Sequence, residues 1–169
     1  MPPNRPPARG HVILLAFSAV LITRLLSDSP KSQQSAVRNT RVSRIIDGDT
    51  VETDSGERLR LLGIDAPELA TEGRPGQPHA VESTAWLSRK LLHRTIRIEV
   101  PFNSRGRYGR TLTCLFLESE LINQTALETG HARLVDDHVL PANLEQRLRA
   151  AEARARINRL GVWRQAKTR

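Results

Sequence analysis

After its apolar N-terminal segment, the chain continues with short strand patterns that are separated by tight turns. The stretches R-V-S-R-I-I (41–46) and T-V-E-T (50–53) flank D-G-D (47–49), and D-S-G-E (54–57) leads into R-L-R-L-L-G-I-D (58–65). Asp, Gly and Ser favour turns because they tolerate left-handed backbone or bond to their own backbone. The pattern therefore predicts three short strands in succession, with a hairpin turn before the third.

Two further strands and three helices complete the predicted layout. T-I-R-I-E-V (95–100) alternates cleanly, and T-L-T-C-L-F-L (111–117) has the composition of a fifth strand. Helices are expected over residues 78–93, over residues 119–129 and between residues 141 and 161, where apolar residues recur at near-helical spacing. Five short strands with interspersed helices indicate an α+β fold, and a small Greek-key barrel is one way to close them.

An apolar run with two arginines in front of it predicts export. V-I-L-L-A-F-S-A-V-L-I (12–22) has the length of a signal-peptide core and is shorter than the roughly 20 residues of a spanning helix. Residues 1–26 are therefore expected to be a signal peptide or an N-terminal membrane anchor. Residues 27–39, polar and Ser-rich, read as a flexible linker. The folded domain is expected in the periplasm or outside the cell, either released or held at the membrane by residues 12–26.

The net charge permits a polyanionic partner. The whole chain carries +8, and removing residues 1–36 leaves 22 Lys and Arg against 17 Asp and Glu, or +5. Such an excess allows nucleic-acid binding without establishing it.

The single cysteine and the histidines point away from thiol and zinc chemistry. Cys114 can form no intramolecular disulfide, and its place in T-L-T-C-L-F-L is typical of a buried strand thiol rather than a nucleophile. The five histidines show no ligand spacing with one another or with Cys114, so a zinc site is not expected.

Charged residues bracket the apolar stretch R-L-L-G-I-D-A-P-E. Arg60 precedes it, and Asp65 and Glu68 follow it, while Asp47 and Asp49 lie in the turn between the first two strands. Asp49 and Asp65 would lie close together if both neighbouring strand ends meet at one rim of a barrel. These two carboxylates with carbonyl and water oxygens would suit calcium or magnesium. Two simpler interpretations stay open, since Asp-Gly is a common turn dipeptide and charged strand ends can simply be solvated.

A single site built on Arg60 and Asp65 has a structural requirement. Residues at odd separation on a regular strand lie on opposite faces of the sheet. The two side chains can meet only if the strand bends or bulges near Gly63, or ends before Asp65.

The loop S-R-G-R-Y-G-R gathers three arginines around a tyrosine. Arg105, Arg107 and Arg110 could grip phosphate oxygens bidentately, and Tyr108 could stack on a nucleotide. The alternative is a solvated arginine-rich turn.

Together, I-D-G-D-T, R-L-L-G-I-D-A-P-E and R-Y-G-R, in this order, resemble the staphylococcal-nuclease-like (thermonuclease) family. The resemblance covers about residues 40–164 and leaves residues 165–169 as a C-terminal tail. It implies a five-stranded OB-fold barrel with three helices, a monomer, and an enzyme that hydrolyses DNA and RNA phosphodiesters with Ca²⁺.

The resemblance also implies roles for individual residues near the predicted turn and third strand. Asp49 and Asp65 correspond to calcium ligands. Ala66 occupies the position of a threonine that binds calcium through its backbone carbonyl, so the substitution leaves the ligand atom in place.

The remaining implied roles concern the substrate. Arg60 and Arg110 match two catalytic arginines, and Glu68 matches the catalytic glutamate, expected to act as general base. Arg107 and Tyr108 match neighbouring nucleotide contacts. These side chains suit phosphodiester hydrolysis because cations stabilise the charge that gathers on the phosphate oxygens and a carboxylate can take a proton from water.

Two departures from the family pattern bear on substrate affinity. Gly106 replaces an acidic residue before the R-Y-G-R loop, and L-V-D-D-H-V (134–139) lacks the family's nucleotide-contacting tyrosines. A catalytically weak nucleic-acid-binding OB module is the alternative function, and a membrane-tethered domain that binds an acidic protein or lipid is another. The first alternative predicts gaps at the catalytic positions, which this sequence does not have.

Overall fold

The computed structural model of the protein describes residues 36–100, 110–135 and 140–164. The predicted export segment, most of the linker, the loop positions Arg107 and Tyr108, and the C-terminal tail lie outside these ranges. Within them, no helix combines the length and the apolar character needed to cross a membrane.

Eight strands and three helices make up the described part of the chain. The strands are β1 (Ala36–Ile45), β2 (Thr50–Thr53), β3 (Arg58–Leu61), β4 (Ile64–Asp65), β5 (Thr95–Val100), β6 (Thr111–Leu117), β7 (Glu120–Leu121) and β8 (Arg133–Leu134). The helices are α1 (Ala80–Leu91), α2 (Ile122–Glu128) and α3 (Ala142–Ile157), followed by a 3-10 turn at Gly161–Trp163.

Five of these strands close into a barrel. β3, β2, β1, β5 and β6 pair in that order through antiparallel ladders. A parallel pairing of β3 with β6, with Arg60 opposite Leu112, joins the two ends. Full closure leaves no unpaired edge among these five strands. The predicted α+β fold, a five-stranded OB barrel with three helices, is confirmed.

The core lies inside the barrel and under the helices. Strand residues fill the interior at alternating positions, and α1, α2 and α3 each cover it with an apolar face. The largest side chains that are fully buried are Leu59, Leu61, Ile64, Leu87, Leu91, Ile96, Ile98, Leu115, Ile122, Leu127 and Leu148. A continuous cluster of this kind, spanning strands and helices, fixes the barrel ends relative to one another.

Two predicted boundaries are wrong. β1 begins at Ala36, and its residues 36–39 pair with β5, so these residues belong to a strand and not to the predicted linker. The sequence A-V-R-N carries no clear alternation, and only its partner strand makes it a strand. The helix expected over residues 119–129 begins at Ile122, because Glu120–Leu121 first pairs with β6.

Cys114 is a buried β6 residue, as its sequence context predicts. It is 5% exposed, and burial raises the pKa of its thiol to about 11. A thiol with so high a pKa is protonated at neutral pH and is no nucleophile.

A histidine pair joins the start of α1 to the segment that precedes β8. Nε2 of His79 and Nδ1 of His131 are 3.0 Å apart, so one ring donates a hydrogen bond to the other. Trp86 stacks on His131 with ring centroids 4.9 Å apart. The pKa of His131 is lowered to about 4, mainly by burial and also by the charges of His79 and Arg89, while Glu82 acts in the opposite direction. The pair is 52 residues apart in sequence, which is why its members show no ligand-like spacing.

The low pKa of His131 predicts acid sensitivity of the fold. Between pH 6.5, the ordinary value, and about pH 4, the unfolded chain takes up a proton at this residue and the folded chain does not. Stability should therefore fall as the pH is lowered through this range. The measurement is the melting temperature against pH for the wild type and His131→Gln, which keeps a polar partner for His79. The variant should show a shallower pH dependence, and equal slopes would contradict the assignment.

Candidate active site

One arginine side chain connects the two predicted metal-binding carboxylates. Nη2 of Arg60 donates to Oδ1 of Asp65 at 2.7 Å, and Nη1 forms an ion pair with Oδ2 of Asp49. The Arg60 side chain is only 13% exposed, whereas that of Asp65 is 52% exposed. A guanidinium presents its donors in a fixed plane, so one arginine can hold two carboxylates at once. The expected proximity of Asp65 to Arg60 and to Asp49 is therefore present, and the direct pairing of Arg60 with Asp49 is an additional finding.

The D-G-D turn places Asp49 at the start of β2. Its backbone N–H donates to Oδ1 of Asp47 at 3.0 Å, which closes the turn. Its own carboxylate accepts hydrogen bonds from the hydroxyl of Thr50 at 3.1 Å and from the backbone N–H of Ala66 at 2.5 Å. Asp49 is 4% exposed, and these donors satisfy a carboxylate that would otherwise be costly to bury. The D-G-D sequence is thus both a turn and part of the site.

A break in the predicted third strand turns Asp65 toward Arg60. β3 ends at Leu61, Gly63 has φ of +75°, and the chain resumes as β4, which pairs with β8 instead of the barrel. A positive φ is easily reached only by glycine among ordinary residues. The structural requirement for a single site, a bend near Gly63, is met.

Asn123 supports this break from beneath. It is fully buried, and its side-chain amide donates to the carbonyl oxygens of Leu62 at 2.9 Å and Thr113 at 3.2 Å. Its side-chain oxygen accepts from the N–H of Leu115 at 3.0 Å. The carbonyl of Leu62 leaves the barrel ladder at the break, and Asn123 supplies the hydrogen bond that it needs.

Gly48 allows the turn to pack closely against α1. A Cβ at this position would lie 2.4 Å from Oγ of Ser83 and 2.6 Å from Cβ of Ala66. Ser83 is buried, and its hydroxyl donates to the carbonyl of His131 at 2.5 Å. The turn with Asp49, the segment with Ala66 and the helix are thus in direct contact, which fixes the carboxylate of Asp49 relative to Asp65.

Asp47 lies in the same group of interacting charges, although its position in the sequence predicts no role beyond the turn. Burial raises the pKa of Asp47, and the Thr50 hydroxyl and the charges of Arg60 and Arg110 partly offset this effect. Burial likewise lowers the pKa of Arg60, with Asp65 and Asp47 acting in the opposite direction. The only sequence signal for Asp47 is that it is a carboxylate two residues before Asp49. The geometry of the closed turn is what shows that the Asp47 carboxylate stays near Arg60 and Arg110.

The other predicted catalytic residues lie at the rim. Glu68 is exposed, and Gln77 fixes its backbone through hydrogen bonds of 3.1 Å and 2.9 Å. Arg110 is half-buried immediately before β6 and lies near enough to influence the pKa of both Asp47 and Arg60. The structure therefore brings Asp49, Asp65 and Ala66 together around Arg60, with Arg110 close by and Glu68 on the adjacent loop.

The donor atoms at this site suit a hard cation. Asp49 and Asp65 converge on one guanidinium, and the backbone N–H of Ala66 donates to Asp49, which places Ala66 beside both carboxylates. Carboxylate and carbonyl oxygens are the ligands of calcium and magnesium rather than of zinc. Across residues 36–100, 110–135 and 140–164, no three His, Cys, Asp or Glu side chains are grouped as a metal site. A cation here would need carbonyl and water oxygens besides the two carboxylates.

Comparison with known proteins identifies the family. The profile described as staphylococcal nuclease homologue matches residues 58–165, more than half of the chain. The chain belongs to the staphylococcal nuclease family. The match begins at the first residue of β3 and includes Arg60, Asp65 and Glu68.

Individual relatives extend the similarity to the N-terminal side of that match. The chain is 31% identical to the thermonuclease of Staphylococcus intermedius and 28% identical to that of Staphylococcus hyicus. Each alignment covers 91% of this chain and 95% of the relative. This chain is also 36% identical to the "Probable endonuclease LCL3" of Colletotrichum graminicola. That alignment covers 62% of this chain and 40% of the relative. The predicted family is confirmed.

The contact between Gly48 and Ser83 predicts a sensitive position in this staphylococcal-nuclease fold. Gly48→Ala should destabilise the protein by about 1–3 kcal/mol, because the new methyl group meets Ser83 and Ala66 inside a packed region. The measurement is the free energy of unfolding in denaturant.

Gly56→Ala is the matched control for this experiment. Gly56 has φ of +79° but nothing within 4 Å of its Cβ position, so its substitution tests backbone strain alone, about 1–2 kcal/mol. Gly48→Ala should lower the free energy of unfolding and also change the NMR signals of Ala66. Gly56→Ala should leave the Ala66 signals unchanged. Unchanged stability of Gly48→Ala would contradict the close packing.

Proposed function

We propose that this nuclease hydrolyses phosphodiester bonds of DNA and RNA with Ca²⁺ at the site around Arg60. The observation that carries the proposal is the double pairing of Arg60 with Asp49 and Asp65. That the enzyme is a nuclease follows from its family and from its thermonuclease relatives. The ion, the substrate range and the roles of individual residues are the proposal.

The proposed metal ligands are Asp49, Asp65 and the backbone carbonyl of Ala66. When bound there, a calcium ion would offset the charge of the substrate phosphate and polarise it. The two carboxylates cannot bind a phosphate unaided, because like charges repel. The two carboxylates also hold Arg60 in place. If a cation neutralised their charge instead, the guanidinium of Arg60 would become available to the substrate.

The proposed role of Arg60 and Arg110 is to stabilise charge on the phosphate. A guanidinium donates two parallel hydrogen bonds to two phosphate oxygens, and in a site with little water these bonds are strong. Arg60 is supported for this role by its low exposure and fixed plane. Arg110, at the start of β6, would act from the other side and assist the departing oxygen.

Glu68 is the proposed general base. It lies three residues after Asp65 on a loop that Gln77 anchors, with its carboxylate exposed to water. From this position it would take a proton from the attacking water molecule.

Arg107 and Tyr108 are proposed to contact the nucleotide from the loop before Arg110. We also propose that residues 1–26 direct export, with cleavage or membrane anchoring at that segment decided by sequencing the N-terminus of the mature protein.

Removal of the metal gives the first test of this function. Plasmid and single-stranded DNA should be cut with Ca²⁺ and spared with chelator, because the carboxylates then repel the phosphate. The measurement is gel analysis of both substrates. Equal cleavage in chelator would contradict the metal assignment, and binding without cleavage in Ca²⁺ would favour the nucleic-acid-binding alternative.

Arg60→Lys tests the arginine fork. Lysine keeps the charge and loses the two-pronged geometry, so turnover should fall by about a hundredfold or more. Arg58→Lys is the matched control, since Arg58 lies on the same strand with its side chain 59% exposed and 3.5 Å from Glu52. Normal turnover in Arg60→Lys, or equal losses in both variants, would show that Arg60 is only a structural charge.

Glu68→Gln tests the proposed base. Glutamine keeps the size of the side chain and cannot accept the proton, so kcat should fall by about a hundredfold while substrate binding changes little. Glu72→Gln provides the control, because Glu72 is exposed on the same loop. Thermal melts of both variants should match the wild type. Full activity of Glu68→Gln would remove Glu68 from the mechanism.

A further inference from the structure

We propose that Arg133, Trp163 and Arg156, here named the Arg–Trp–Arg cluster, form a second contact for the phosphate backbone of long nucleic acids. This inference rests on the proposed function and extends its site beyond the bond that is cut. The cluster would bind backbone phosphates other than the one held at Arg60 and would contribute affinity without taking part in the chemistry.

The two arginines of the cluster pack on one aromatic ring. The guanidinium carbon of Arg133 is 4.1 Å from the Trp163 ring centroid, and that of Arg156 is 4.7 Å from it. Both arginines are exposed, and the tryptophan is half-buried. Stacking covers a face of each guanidinium and leaves its N–H donors around the edge, the geometry that binds phosphate oxygens bidentately.

The known partners of these arginines leave donors available to a ligand. Nη2 of Arg133 donates to the carbonyl of Val162 at 3.2 Å, which engages one of its five N–H groups. Among the described residues, the carboxylate that pairs with Arg156 is that of Glu152, at 3.9 Å. Glu152 already accepts a hydrogen bond of 2.8 Å from the backbone N–H of Leu134, so it is committed to the fold rather than to Arg156.

The cluster lies beside the candidate active site. Arg133 is directly opposite Asp65 in the antiparallel pairing of β4 with β8, and residues so paired project from the same face. The exposed carboxylate of Asp65 and the Arg–Trp–Arg cluster are therefore neighbours on one surface. A nucleic acid engaged at Arg60 could pass from Asp65 onto Arg133 without crossing the barrel.

The segment of chain that carries Arg156 and Trp163 is basic. Residues 142–164 contain six arginines against two glutamates. Ion pairs within α3 neutralise only part of this positive charge. A positive surface next to a phosphodiester site attracts a polyanion. A basic surface with a stacking aromatic residue is the usual means of binding single-stranded nucleic acid without sequence preference.

A purely structural role is the competing explanation, since Trp163 and its arginines also fasten the chain after α3 to β8. The two roles differ in what they change. A fastening role affects stability and all substrates alike, whereas a backbone contact affects only substrates long enough to reach the cluster.

The test is the double variant Arg133→Gln/Arg156→Gln, with Trp163 retained. Binding of a fluorescent single strand of about 20 nucleotides is measured by anisotropy in chelator, across a salt series, so that no cleavage occurs. The variant should bind about tenfold more weakly. The slope of log affinity against log salt should fall by roughly 0.7 for each lost phosphate contact.

Turnover of a dinucleotide and of long DNA is measured in Ca²⁺ in parallel. The variant should keep dinucleotide kcat/KM within about twofold of the wild type and show a raised KM for long DNA. Arg94→Gln is the control, because Arg94 is similarly exposed and likewise 3.9 Å from its carboxylate partner. It should behave as the wild type in the dinucleotide assay and lose no more than a small part of the salt slope.

The outcomes separate this proposal from the proposed function. Unchanged affinity and salt slope in the double variant would overturn the cluster as a binding surface. Equal losses on the dinucleotide and on long DNA, with a lowered melting temperature, would also overturn it and establish the fastening role. A wild type that cuts neither substrate would refute the proposed function, while the binding measurement in chelator would still decide on the cluster.

Discussion

The pairing of Arg60 with Asp49 and Asp65 is the interaction on which the candidate site depends. Two carboxylates brought this close repel each other, and the repulsion grows as water is excluded. Asp49 is almost completely buried, so it requires a cation and hydrogen-bond donors beside it. Arg60 supplies the charge, and Thr50 and Ala66 supply donors. The same arrangement makes the carboxylates tolerable in the free protein and keeps the two proposed metal ligands together.

The barrel brings these groups together from separate elements. Asp49 ends the turn before β2, Arg60 lies on β3, and Asp65 lies on β4 after the break at Gly63. Closure of β3 onto β6 brings Arg110 to the same end of the barrel. The close contact at Gly48 and the buried amide of Asn123 then fix the turn and the break. Residues outside the proposed catalytic set thus determine where the charged groups of the candidate site lie.

Much of this organisation could be predicted from the sequence, because the signals are local. Alternation and turn residues indicated the barrel strands, and the motif order indicated the family, which is confirmed together with the nuclease class. The need for a break near Gly63 followed from strand alternation alone. The export segment and the nucleotide contacts of Arg107 and Tyr108 stay predictions.

Other features depend on contacts between distant parts of the chain. The early start of β1 at Ala36 and the short strand Arg133–Leu134 exist only because partner strands are in place. The pair of His79 and His131 joins residues 52 positions apart, and no spacing rule for ligands detects it. The role of Asp47 in the site likewise follows from the closed turn rather than from its position in the sequence.

Calcium binding without substrate, measured by isothermal titration calorimetry, tests the central claim most directly. If Arg60 and the cation share Asp49 and Asp65, Arg60→Gln should bind calcium at least as tightly as the wild type, since a competing positive charge is removed. Asp65→Asn should weaken calcium binding by about tenfold or more. Unchanged affinity in Asp65→Asn, or a loss in Arg60→Gln as large as that in Asp65→Asn, would contradict the shared site.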